Sequence, residues 1–396
     1  MGGPGPDRRR YDVVVVGARC AGASTALLLA RRGLRVLVVE QDRRGTDTLS
    51  THALMRGAVL QLSRWGLLPA LLEAGTPPLT RTRFHYGGHV VDLPIKPREG
   101  VDALYAPRRF VLDAILVDAA EAAGADVRSG TRVVELTRDR HGRVRGVVLQ
   151  AGRHPRVPIE AGLVVGADGA HSIVARQVGA PAYRTASHRG GVVYGYWSGL
   201  PGGSNEWHFG RGDAAGSIST NAGLACVFAS LPGAAFDAEV RRDLAAVHRR
   251  ILADCAPELL AAVESGELRS PLRGFPGRLG YLRQSWGAGW ALVGDAGYFK
   301  DPITAHGITD ALRDAELLAR ALVERGEAGL PGYQHERDSL ALPLFEITDE
   351  LASYAWSLER AQELHLALSR EMNRELAAMV EWHAPPDTAP AMRRTA

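Results

Sequence analysis

Gly17, Arg19, Gly22 and Glu40 are the residues whose types and spacing most directly offer chemistry in this chain. The first three lie in the run Tyr11-Asp-Val-Val-Val-Val-Gly-Ala-Arg-Cys-Ala-Gly22, and Glu40 ends the next apolar run. Glycines at a strand-to-helix turn let backbone N–H groups and a helix N-terminus approach a diphosphate, and a carboxylate about 20 residues on accepts ribose hydroxyl protons. Arg19 stands where the second glycine of G-x-G-x-x-G is usual, so its side chain is expected beside the diphosphate, with Cys20 and Ala21 opening the helix. Alone, the turn fits either a dinucleotide or tight packing.

Two further runs repeat the theme. Val164-Val-Gly-Ala-Asp168-Gly169-Ala-His-Ser172 ends a buried run with a carboxylate and a turn. Gly294-Asp295-Ala-Gly-Tyr298-Phe-Lys300-Asp301-Pro302-Ile-Thr304-Ala-His306-Gly307 does the same and leads into a helix. In this order the three motifs resemble the single-Rossmann FAD-dependent oxidoreductase superfamily of p-hydroxybenzoate hydroxylase, geranylgeranyl reductases and flavin-dependent halogenases. The resemblance spans residues 10–330 and implies FAD as cofactor. It implies Gly17, Arg19, Cys20, Ala21 and Gly22 at the diphosphate and Glu40 on the adenosine ribose. Asp168 and Gly169 would lie beside that site, and Asp295 would meet the ribityl chain or the diphosphate. Pro302, Gly307 and Ile308 would pass the flavin's pyrimidine edge, where a helix N-terminus favours the negative charge of reduced flavin. Arg109 fits R-x-x-L-x-x-x-L with Leu112 and Leu116, a helix start that the superfamily places near FAD. Ser50, Thr51 and His52 fall where relatives bring a loop to the flavin ring; the rival reading is that Ser50 or Thr51 caps the next helix. Tyr298 takes the histidine position of G-D-A-A-H.

His306, His52 and Tyr298 are the candidate acid–base groups, and His85, His89 and His208 are weaker ones. Lys300 and Asp301 are expected to form an ion pair near the flavin. Tyr194, Tyr196, Trp197, Trp207 and Phe209 either floor a pocket or pack a core. No second glycine-rich turn follows a strand, so NAD(P)H is expected to visit transiently, or a separate flavin reductase to act as partner. The resemblance then implies a monooxygenase that uses molecular oxygen, inserting one atom into a small organic substrate, aromatic or polyketide-like, through a flavin hydroperoxide. A reductase of carbon–carbon double bonds is the alternative, because Phe299 to Ile308 resembles the F-x-N-P-L-T-x-x-G-I of geranylgeranyl reductases. A halogenase fits less well, since W-x-W-x-I-P is missing; a non-catalytic FAD-binding protein is the remaining reading.

The elements that must carry these residues follow from periodicity. Short β-branched runs at 13–16 and 34–39 flank a helix over 20–32, as a parallel sheet covered on both faces requires. Helices are expected over 54–72, 110–123 and 307–324, and over 333–382 with a break at Pro343. Strands are expected at 83–93, 125–136, 143–149 and 163–165, then at 191–197, 205–209 and 223–230, with one helix near 237–265. The fold class is α/β: a Rossmann-like FAD-binding domain with an inserted mixed-sheet substrate domain and a C-terminal helical segment. Expected boundaries are 1–80, 105–180 and 285–330 for the first, 81–104 and 181–284 for the second, and 331–396 for the third, whose tail from Ala384 is expected to fray.

Composition narrows the classes. The 396 residues are 46% hydrophobic with a net charge of +3, and the arginines are dispersed, so no nucleic-acid stripe is expected. The three cysteines are far apart, with no metal-ligand spacing and no disulfide framework, which fits no metal and a cytoplasmic location. There is no apolar run long enough to span a membrane, and the N-terminus does not read as a signal peptide.

Overall fold

The computed structural model describes residues 10–50, 52–239 and 243–382. The roles expected of Thr51 and of the tail from Ala384 lie outside the described residues.

Val13, Val14, Val15 and Val16 are buried on both faces of a largely parallel sheet. The strand Arg10–Val16 lies between Val36–Val39 and Val157–Gly166, parallel to both, and Trp290–Leu292 continues the sheet parallel to Val157–Gly166. The antiparallel hairpin Thr131–Arg138 and Val144–Ala151 attaches to Val157–Gly166. Apolar side chains of Cys20–Arg31, Arg109–Ala122 and Gly307–Arg325 pack one face, and those of the hairpin pack the other.

A second sheet runs Glu267–Leu268, Gly190–Ser198, Leu224–Pro232, Ala214–Ser219, Ser204–Phe209, Arg81–Tyr86, His89–Pro94. Residues 81–94 thus complete a sheet built mainly by residues 190–275. Alternation sorts its side chains. Val193, Trp197, Val227 and Ala229 pack under Leu244–Cys255 and Pro257–Ser265. Tyr194, Tyr196, Ile218, Cys226 and Phe228 point the other way, onto Ala53, Ala106 and Ala305. The architecture is the α/β fold expected, with a helical C-terminal segment. Among the described residues, no helix is long and apolar enough to cross a membrane.

Several elements differ from expectation. Residues 54–72 form two helices, Arg56–Arg64 and Leu68–Glu73, because Gly66 adopts a φ of +76° between them. Residues 125–136 split into Asp126–Arg128 and Thr131–Arg138. Residues 237–265 carry parts of three helices: Asp243 caps the second by accepting from Ala245 and Ala246 N–H, and Pro257 opens the third. The strand Ala214–Ser219 was not anticipated; its small residues carry no strand signature. Pro343 does not break its helix, which runs Leu330–Leu351. The carbonyl a residue 343 N–H would have bonded, that of Ser339, accepts instead from Arg374 Nη2 of the last helix at 2.7 Å.

Candidate cofactor and active site

The turn between the first strand and the first helix is built from backbone. Gly17 has φ +102°, and a Cβ there would lie 2.5 Å from the Ala167 carbonyl oxygen, so only glycine lets the turn pass the strand Val157–Gly166. A Cβ on Gly22 would overlap the Gly17 carbonyl oxygen, so the helix also closes onto the turn through a glycine. The helix start has no side-chain cap, leaving its N–H groups for a ligand. Glu40 accepts from Ala18 N–H at 2.8 Å and from Asp42 N–H at 2.9 Å, which orients its carboxylate and leaves lone pairs for hydroxyl donors. A cleft lined by Ala18, Arg19, Glu40, Asp42, Phe110 and Asp113 runs beside it.

Arg19 is held at 3.0 Å from Asp42 and 3.6 Å from Asp113. Asp113 also takes Arg109 at 3.1 Å and the Cys20 thiol at 3.2 Å. The second carboxylate is thus the hub joining three expected cofactor residues. The signal for it was its place four residues after Arg109 on one helix. Ala21 meets the third motif directly: a Cβ on Gly294 would lie 2.9 Å from Ala21 Cβ.

Asp168 follows the Ala167 that abuts Gly17. Its Oδ2 accepts from Ile173 N–H at 2.6 Å; its Oδ1 is buried with no hydrogen-bond partner among the described residues, and burial raises its pKa. Gly169 turns the chain with φ +73°. The Tyr281 hydroxyl donates to the Asp295 carbonyl at 2.6 Å. The Asp295 carboxyl is pushed up to about 6 by burial and by Asp310, with Arg109 and Lys300 opposing.

The third motif then turns. Asp301 Oδ1 accepts from Ile303 N–H at 3.0 Å, capping the turn Pro302–Thr304, and its Oδ2 accepts from Gly190 N–H at 2.7 Å. Lys300 therefore does not pair with Asp301, as the sequence suggested, but with buried Asp310. Ala305 holds φ +50°, a strained value for a non-glycine residue. Gly307 opens the helix Gly307–Arg325 at the surface, and Ile308 is buried behind it.

Near Ala305 the loop of Ser50 and His52 meets the aromatic face. Ser50 N–H donates to the Tyr194 hydroxyl at 3.2 Å, and Ser50 Oγ accepts from His52 N–H at 3.0 Å. His52, at φ +49°, places Nε2 against the Tyr196 hydroxyl. Burial, then the Arg108 charge, lowers its pKa to about 3. Arg108 and its 2.7 Å partner Asp47 went unnoticed in the sequence; nothing about an arginine beside Arg109 distinguishes it there.

His306 and Tyr298 belong to a different setting. His306 stands at the start of the long helix, yet its Nε2 is taken by Glu375 at 2.7 Å, and only 1% of the residue is exposed. Glu375 Oε1 accepts from Arg313, which also holds Asp310 and Asp314. Burial alone would raise the Glu375 carboxyl; His306 and Arg313 outweigh it and hold it down to about 2. The Tyr298 ring lies 5.1 Å from Lys300 Nζ, its hydroxyl turned toward the Ala341 carbonyl. These groups form a buried charged cluster on the third motif.

The residues present fit FAD. The uncapped helix start, the oriented Glu40 carboxylate and the buried Asp168 Oδ1, without a hydrogen-bond partner among the described residues, offer the donors and acceptors that an adenosine diphosphate needs. A profile of the FAD binding domain matches residues 10–195. The menaquinone reductase of Mycolicibacterium smegmatis is 29% identical over 332 residues, 80% of this chain and 77% of that protein. Several further curated relatives are matched over about half of their own length. PqsL of Pseudomonas aeruginosa, described as a probable FAD-dependent monooxygenase, superposes with a TM-score of 0.71 and 25% identity, covering 94% of this chain and 100% of that one. The flavin-dependent brominase Bmp2 superposes with a TM-score of 0.77 at 18% identity, covering 94% and 98%, which is a likeness of fold. The turn at Gly17, the run Asp168-Gly169 and the run Gly294-Asp295 follow neighbouring parallel strands of one sheet, residues 10–195 carry an FAD binding domain, and by its likeness to these relatives the chain is an FAD-dependent oxidoreductase.

Proposed function

We propose that the protein is an FAD-dependent monooxygenase that places one oxygen atom from O2 on an apolar, aromatic molecule. The observation that carries this reading is the aromatic face of the second sheet. Tyr194, Phe228 and Trp207 stand in one cross-strand row beside the loop that contains Ala305. An aromatic floor of this kind binds a planar substrate through dispersion and offset stacking and keeps water out. We read residues 81–104 and 181–284 as the substrate-facing unit and the remainder up to residue 330 as the cofactor unit.

Bound FAD supplies the electrons and the oxygen chemistry. The chain's own residues do the rest. The turn of Gly17, Arg19, Cys20, Ala21 and Gly22 with Glu40 holds the nucleotide end, and Asp168, Gly169, Asp295 and Arg109 flank it. The helix start at Gly307 has no side-chain cap, and its N–H groups would favour the negative charge of a reduced flavin placed there. Neutral His52 shares a hydrogen bond with the Tyr196 hydroxyl and so fixes that buried phenol in place. Electrons arrive from NAD(P)H or from a separate flavin reductase.

A second reading is a carbon–carbon double-bond reductase. It is favoured by the relation to the menaquinone reductase over 80% of the chain and by the run Phe299 to Ile308. One assay separates the two. The holoenzyme is supplied with NAD(P)H and a panel of phenols and polyenes under labelled oxygen, and again without oxygen. One labelled atom in the product supports the monooxygenase. A saturated product formed without oxygen replaces it with the reductase.

A further inference from the structure

We propose that His85, Glu206 and His208 form a binding site for a borderline divalent cation, with Zn2+ as the probe, on the outer strands of the second sheet. The three come from two sequence-distant segments. His85 and His208 are direct partners in the parallel pair of Arg81–Tyr86 and Ser204–Phe209. Glu206 lies two residues before His208, so the pleat sends it to the same face. One donor atom from each residue lies within 4.8 Å of the others. Two imidazoles and a carboxylate are a common Zn2+ donor set and leave a coordination position for water.

The surroundings fit that use. Glu206 Oε1 accepts from Arg83 at 2.9 Å and from Ser204 Oγ at 2.8 Å, which fixes the carboxylate's orientation. Its Oε2 points at His85 Nε2, 2.9 Å away. Outer groups that hold one carboxylate oxygen and aim the other are characteristic of metal centres. The His208 ring is only 8% exposed as a residue, yet no hydrogen bond reaches it among the described residues; it stacks on His85 with centroids 4.0 Å apart. Ligation at metal–donor distances of about 2.0–2.2 Å requires the donors to draw together and the rings to fan apart. His85 is the half-buried member of the pair, and the edge strand His89–Pro94 lies next to its own strand.

The chain offers a useful contrast. His306, Asp310 and Glu375 also converge, but Lys300 and Arg313 already occupy those carboxylates as cations. At His85, Glu206 and His208 only one carboxylate oxygen is so occupied. A bound cation would tie the edge hairpin of residues 81–94 to the strand Ser204–Phe209, adding stability by binding the folded state alone.

The test uses the full-length, FAD-loaded protein, stripped with chelator and desalted, then titrated calorimetrically with ZnCl2 while thermal midpoints are recorded. The expected result is one Zn2+ per chain and a raised midpoint. Both effects fall about 10-fold or more in affinity with His85→Ala, Glu206→Gln and His208→Ala, and persist in the exposed-site control His335→Ala. FAD content and circular dichroism report folding, and half-buried His85 carries the test if His208→Ala is unstable. Absence of saturable one-to-one binding, or binding unchanged in His85→Ala, overturns the proposal. Neither outcome depends on which reaction the flavin site performs.

Discussion

His52 Nε2 stands 2.8 Å from the Tyr196 hydroxyl, and the Arg108 guanidinium lies 3.7 Å from the centre of the Tyr196 ring. Tyr196 thus touches both a cation and an imidazole that burial and Arg108 together keep neutral. The arrangement has a pH signature. The folded-state value of about 3 lies below the unfolded value of 6.5, so the unfolded chain binds the extra proton between them. Stability is therefore full above pH 6.5 and lost as pH falls toward 3. His52→Gln should remove about one proton from the unfolding linkage, flattening the acid limb by about 1.4 kcal/mol per pH unit. Denaturant unfolding at several pH values measures this; an unchanged slope refutes it.

Asp295 behaves oppositely. Its carboxyl is raised to about 6, so the charged form is disfavoured in the fold and stability is lost as pH rises through that value. Asp295→Asn should raise the thermal stability of the FAD-free protein at pH 7.5, by about 1–2 kcal/mol. The same change should weaken FAD about 10-fold if the carboxylate accepts from a cofactor hydroxyl. Calorimetry on the apoprotein and fluorescence titration with FAD read the two effects separately.

The same glycine-to-alanine change should act with opposite sign at two sites. At Gly22 the new methyl overlaps the Gly17 carbonyl, and we expect a loss of about 2–4 kcal/mol together with FAD binding. At Gly332, within the helix Leu330–Leu351, nothing lies within 4 Å, and alanine should be neutral or stabilise by about 0.5–1 kcal/mol. Denaturant midpoints and flavin content decide.

Arg313 is fully buried among Asp310, Asp314 and Glu375. Arg313→Met leaves these carboxylates without their shared cation and should cost about 3–5 kcal/mol. Adding Glu375→Gln should recover part of that loss, a coupling that a double-mutant cycle of unfolding free energies detects. Strictly additive costs would show that the cluster is not one unit.

The turn at Gly17 was legible because its geometry is written in residue identity. Gly17 and Gly22 permit the close backbone approach, Glu40 accepts from Ala18 N–H, and their spacing lies within a single strand–turn–helix–strand unit. The buried strands were legible for the same local reason: Val13 to Val16 are apolar without alternation. What stayed hidden are pairings across sequence. Glu375 meets His306 across 69 positions and Asp47 meets Arg108 across 61, and no periodicity announces either partner. The adjacency of Lys300 and Asp301 suggested a pair, but neighbours point apart once the chain turns, and each side chain finds a distant partner. Pro343 misled because its helix has a neighbour that supplies the missing donor.

Asp301 caps its own turn with one carboxylate oxygen and holds the first residue of the strand Gly190–Ser198 with the other. The strand Gly190–Ser198 and the turn Pro302–Thr304 are thereby fastened to each other by a single side chain, over and above the packing of Tyr194 and Tyr196 on Ala305. Gly233 N–H and the Phe236 ring press on the same strand end from the other side, at Arg189 and Gly191. A shift of that strand end is therefore passed to the turn directly, through one carboxylate.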